Sequence, residues 1–126
     1  MGAVKIEVYN KRLMDSYDYH NTAHIRTLLK NMSNLEKLSA KGDQVAAAIL
    51  IDLKTCLGEY GLEHTTLAPD ELYAIKMNLI NGVPQTDVAH ILNVRQHWVS
   101  VLIKKGIVKI KYLLTGVDEG YGTTED

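Results

Sequence analysis

The chain has 126 residues, the size of one ordinary domain, and 46% of them are hydrophobic, enough to bury a core. With 14 Lys and Arg against 15 Asp and Glu, the formal net charge is -1. That excludes a uniformly basic nucleic-acid coat and leaves the electrostatic information in how charge is distributed. A single cysteine, Cys56, excludes an internal disulfide and a cysteine-based zinc finger. No run of about 18 apolar residues and no basic-then-apolar leader is present, so the expectation is a cytoplasmic protein with no membrane partner.

The first residues are open to two readings. Val4, Ile6 and Val8 alternate with Lys5 and Glu7 as in a short strand, while Ile6, Tyr9, Leu13 and Tyr17 fit a helical stripe. Asn21 or Thr22 then caps a segment whose apolar residues recur at Ile25, Leu28, Leu29, Met32, Leu35 and Leu38. The capping-box spacing of Ser33 and Glu36 predicts a break near Met32. Such a helix serves either ordinary packing or dimerisation. His20 and His24 are four apart, which is ligand geometry for zinc, but no nearby acid completes a metalloprotease pattern and no metal site is expected.

Gly42 and Asp43 close one element and cap the next. A helix of about residues 44–59 follows, with Val45, Ala48, Ile49, Ile51, Leu53, Cys56 and Leu57 forming an apolar surface broad enough to place it centrally in the core. On this apolar side Cys56 is a buried, inert thiol. Gly58, Gly61 and the polar Glu63-His64-Thr65-Thr66 mark an internal boundary. Pro69 opens the next helix, with Asp70 and Glu71 in its first turn, where proline costs nothing and acids favour the positive end of the helix dipole. Leu72, Ile75, Met77, Leu79 and Ile80 supply its apolar face, and Asn81-Gly82 stops it.

From Gln85 to Lys104 the sequence QTDVAHILNVRQHWVSVLIK predicts a helix-turn-helix. Val88 and Leu92 share the inner face of a first short helix, Val99 and Leu102 that of a second, and Val94 plugs the corner. Ala89 stands where the helices approach most closely. Asn93 takes the turn position that needs a left-handed backbone, which Asn accepts more readily than most residues. Ile107, Val108, Ile110, Leu113 and Leu114 carry the second helix well past Lys104. Gly106 lies within it at a cost of about 1 kcal/mol relative to Ala.

The outward face of that second helix carries Arg95, Gln96, His97, Ser100, Val101 and Lys104. From Pro84 to Leu114, five cations, Arg95, Lys104, Lys105, Lys109 and Lys111, stand against a single acid, Asp87. That excess is the footprint double-stranded DNA requires. Arg95 and Gln96 are the leading candidates for base reading, with His97 and Ser100 behind them. Lys104, Lys105, Lys109 and Lys111, with Gln85 and Thr86 at the start of the first helix, are candidates for phosphate. Trp98 fills space behind the helix, meets another subunit or touches sugar, and packing is the favoured reading. No spacing joins a nucleophile to a base and no glycine loop cradles phosphate, so the chain reads as a binding protein without catalysis or cofactor.

From Gly42 to Leu114 the sequence resembles the phage-encoded ArpU-type transcriptional regulators, whose helix-turn-helix is similar to region 4 of sigma factors. The residues that carry the resemblance are GDQVAAAILIDLKTCLGEYGL, LAPDELYAIKMNLINGVPQTDVAHILNV and VSVLIKKGIVKI. Ala68 and Arg95 replace the usual capping Thr or Ser, Pro84 stands where a capping hydroxyl is common, and Asn93 stands for the usual Gly. These departures bear on helix boundaries more than on fold. The resemblance favours a helix over a strand in the first residues. It also implies a phage or prophage regulator of promoter DNA.

The expected architecture is all-α: an N-terminal helical region (1–65) for packing, dimerisation or polymerase contact, a three-helix helix-turn-helix unit with an extended last helix (66–114), and an acidic tail (115–126). The tail carries Asp118, Glu119, Glu125 and Asp126 and no Lys or Arg. Two alternatives keep the motif: a sigma-like factor working through RNA polymerase, and a small DNA-packaging (terminase) recognition subunit. A helical module that binds protein through the same motif is a third.

Overall fold

The computed structural model describes residues 18–116. The expected helix before residue 18 and the acidic residues after Gly116 lie outside this range. Every regular element among the described residues is helical, in agreement with the all-α expectation.

Helix α1 (Thr22–Lys30) starts where Asn21 Oδ1 accepts the Ala23 amide at 2.8 Å, and it buries Ile25, Leu28 and Leu29. Helix α2 (Met32–Ala40) follows after one residue. The break falls at Asn31, without a Ser33 capping box. Asn31 Nδ2 donates to the Thr27 carbonyl at 2.8 Å, a side chain competing with the backbone for helical acceptors. Gly42 then turns the chain at φ 97°. Asp43 Oδ1 accepts the amides of Val45 and Ala46, at 3.0 and 3.1 Å, to start α3 (Gln44–Cys56).

Helix α3 is narrower in its burial than its sequence implies. Ala46, Ile49, Leu50, Leu53 and Cys56 face the interior, against α2 on one side and the last helix on another. Ala48 and Ile51 face outward, Ile51 being 53% exposed. The helix also stops at Cys56, short of Glu59, as the chain turns through Leu57 and Gly58. Burial and the neighbouring Asp52 carboxylate push the Cys56 thiol up to about 11, which keeps it protonated and unreactive at neutral pH.

A short 3-10 turn (Leu62–His64) leads to α4 (Pro69–Ala74), which continues without interruption into a π-helical stretch (Ile75–Ile80). The wider turn ends with the Asn81 amide on the Lys76 carbonyl at 3.0 Å and the Val83 amide on the Met77 carbonyl at 2.9 Å. Asn78 Nδ2 also donates to the Val83 carbonyl at 2.9 Å, tying the connection back to the helix that precedes it.

Helices α5 (Gln85–Leu92) and α6 (Gln96–Thr115) complete the fold. Helix α6 runs unbroken through Gly106 and packs on α1, α3, α4 and α5. Gly106 is buried because the Ile75 side chain crosses α6 there, with Leu67 beside it, and a Cβ would collide with Ile75 Cδ1. One hydrophobic cluster runs from Ile25 and Leu28 through Leu53 and Leu57 to Ile75, Val88, Val99, Ile103 and Ile110. Buried residues from Ile25 to Leu57 and from Leu67 to Ile110 therefore share one interior, and the connection between them, with Gly58 and Gly61, lies at the surface.

Candidate nucleic-acid interface

The corner between α5 and α6 is built by four residues. Val88 is fully buried and Ala89 nearly so, which lets the two helices approach closely. Asn93 adopts φ 58° and ψ 47° and is the sole non-glycine residue at positive φ among the described residues. The Val94 amide returns to the Ala89 carbonyl at 2.9 Å, closing the turn, and the Val94 side chain is half-buried against the core. Arg95 is extended, at φ -78° and ψ 152°, so α6 begins at Gln96, one residue later than expected. No side chain caps either helix: Pro84 and Arg95 hold the capping positions, leaving first-turn amides of α5 and α6 without a side-chain acceptor.

Val99, Leu102 and Ile103 fix the underside of α6, so the other side faces outward. Arg95, Gln96, His97, Lys104 and Lys105 are exposed, and Ser100, Val101 and Lys111 are half-buried. At the start of α5, Thr86 is exposed and Gln85 half-buried. No acid occurs between Gln96 and Thr115, so nothing on the helix itself neutralises this surface.

Two residues stand differently from their sequence expectation. Lys109, a candidate for phosphate, is engaged within the protein: its Nζ lies 2.8 Å from Glu71 Oε1. The same oxygen accepts the Ala68 amide at 2.8 Å, and the Glu71 side chain is only 5% exposed. Glu71 thus holds the open start of α4 and pins the far half of α6 to it. Trp98, for which packing was the favoured reading, is instead 41% exposed, and Lys105 Nζ sits 5.3 Å from the centre of its ring. The seven-residue step from Trp98 to Lys105 was a usable sequence signal. No local pattern announces a partner for Glu71 that lies 38 residues away.

At the other end of α6, a groove of about 690 Å³ is lined by Tyr19, Ile49, Asp52 and Leu114, among others. Tyr19 donates its hydroxyl to Asp52 Oδ2 at 3.0 Å. Burial, with the Asp52 carboxylate adding to it, holds the phenol above its ordinary range and so in its neutral, donating form. His24 Nδ1 accepts the Asp18 amide at 2.9 Å, and the described residues contain no cluster of three or more side chains able to hold a metal. None of the described helices is long and apolar enough to cross a membrane. Comparison with protein-family models, curated proteins and solved structures finds no match to this chain.

Proposed function

We propose that the chain is a sequence-specific, double-stranded DNA-binding transcriptional regulator of phage or prophage type, with α5 and α6 acting as a helix-turn-helix. The observation that carries this reading is the acid-free outward face at the start of α6, held away from the core by α5 and by the left-handed turn at Asn93. The resemblance of residues 42–114 to ArpU-type regulators supports it. In this reading the first turns of α6 enter the major groove. Arg95 and Gln96 form paired hydrogen bonds with guanine and adenine, each good pair contributing about 1–3 kcal/mol of discrimination. His97 and Ser100 are shorter readers. Lys104, with Thr86, Gln85 and the uncapped amides of α5, meets phosphate.

Binding of labelled duplexes across a salt series tests this. Arg95→Ala is expected to relax sequence preference. Lys104→Ala is expected to weaken every duplex alike and to reduce the salt slope by about one. If both variants bind as the parent does, α6 is not the reading helix.

A further inference from the structure

Trp98, Lys105 and Tyr112 recur at seven-residue steps and therefore lie along one line of α6, about two turns apart. Trp98 is 41% exposed, Tyr112 is 43% exposed, and the Lys105 ammonium rests over the indole ring at 5.3 Å. This line stands about a quarter turn round the helix from His97 and Lys104, with Val101 between them, and further still from Gln96 and Ser100. A helix with its side chains is about 10–12 Å across, and the major groove is about 12 Å wide. With the first turns of such a helix in the groove, the side that carries the base readers meets base edges, and the sides next to it meet the walls. Those walls are deoxyribose and phosphate.

We propose that Trp98 and Lys105 form a composite contact with the sugar–phosphate wall of one DNA strand, the indole lying on deoxyribose and the ammonium reaching the adjoining phosphate. The inference rests on the duplex-binding reading given above and adds to it a residue, Trp98, that serves position rather than sequence. Charge selects the occupant. A second copy packed two-fold on this same face would bring Lys104 and Lys105 against their own equivalents, whereas a polyanion meets them with opposite charge. The pairing also suits the task mechanically. Lys105 has a flexible four-carbon stem, so its ammonium can move from ring to phosphate without any backbone change, and it keeps the ring in place until then.

Trp98 is the only tryptophan in the chain, so its emission reports directly on this contact. The experiment titrates the full chain with a short mixed-sequence duplex, and separately with one of its strands, following tryptophan emission and the anisotropy of labelled DNA together. Emission is expected to change in step with duplex binding. Trp98→Ala is expected to weaken all duplexes by about tenfold, as for one lost apolar contact, with the salt slope unchanged. Lys105→Ala should lower that slope by about one, and Trp98→Phe should keep most of the affinity.

If duplexes bind in a Lys104-dependent way while Trp98 emission and the affinity of Trp98→Ala stay unchanged, the wall contact is wrong and the duplex reading stands. Equal affinity and equal emission change with the single strand would replace the wall by stacking on unpaired bases and overturn the proposal. Emission that follows protein concentration without DNA would assign the face to a second copy. No binding of any duplex would remove both readings.

Discussion

Gly106 lies in the middle of a 20-residue helix, where glycine ordinarily costs about 1 kcal/mol relative to Ala. Here the missing side chain is what lets Ile75, itself fully buried, cross α6. Gly106→Ala is therefore expected to destabilise the chain by about 1–3 kcal/mol, because overpacking outweighs the gain in helix propensity. Ile75→Val, which removes the colliding atom, should recover part of that loss in the double variant. Urea unfolding checks both, and a Gly106→Ala chain more stable than the parent would contradict the close approach. The sequence shows Gly106 as an interruption that the helix survives, but the residue that makes it useful lies 31 positions earlier and belongs to another element. Asn93 is the opposite case. Its short polar side chain tolerates the left-handed region and it stands between two apolar pairs, so the sequence alone marks the turn.

At the scale of elements, α6 is held at two points. Its first turn is propped by Val88, Ala89 and Val94, and its far half is tied to the start of α4 through Lys109 and Glu71. Lys109→Met leaves Glu71 almost completely buried without its cation. The expected loss is about 2 kcal/mol, below the cost of breaking a fully buried pair because Lys109 keeps some contact with water. Where the variant is folded, the salt slope of duplex binding should match the parent's. A stable Lys109→Met variant whose slope falls by about one would instead return Lys109 to the phosphate contacts that the charge count suggested. Counting cations along α6 treats them as equivalent. Only tertiary packing separates Lys109, engaged within the protein, from Lys104, which faces out. The same limit applies to α3, where apolar residues outnumber the positions its neighbours cover and Ile51 is left outside. Nor did the apolar spacing of residues 69–80 reveal that the second half of that helix is π-helical, since the change lies in which carbonyl each amide chooses.

At the scale of the whole fold, the informative feature is the single interior among the described residues. The boundary near residue 65 is visible in the sequence as glycines and polar residues, and the loop is real, yet α6 packs on both α1 and α3. Periodicity identifies which residues of a helix are buried but not which neighbour buries them. A fragment of residues 66–116 is expected to be largely unfolded at neutral pH, because Ile103, Ile107 and Ile110 lose part of their cover. Circular dichroism with a thermal scan decides this. A cooperative transition near that of the full chain would instead make residues 66–116 a unit that folds on its own.

Mapping backbone amide chemical shifts of the full chain during titration with a mixed-sequence duplex tests the proposal that the outward start of α6 meets double-stranded DNA. The largest changes are expected at Thr86 and from Arg95 through Ser100, with Lys104 and Lys105 following and Glu71 and Lys109 nearly still. Changes concentrated instead around the groove at Tyr19, Ile49 and Leu114, or an unaltered spectrum at low salt, would contradict it.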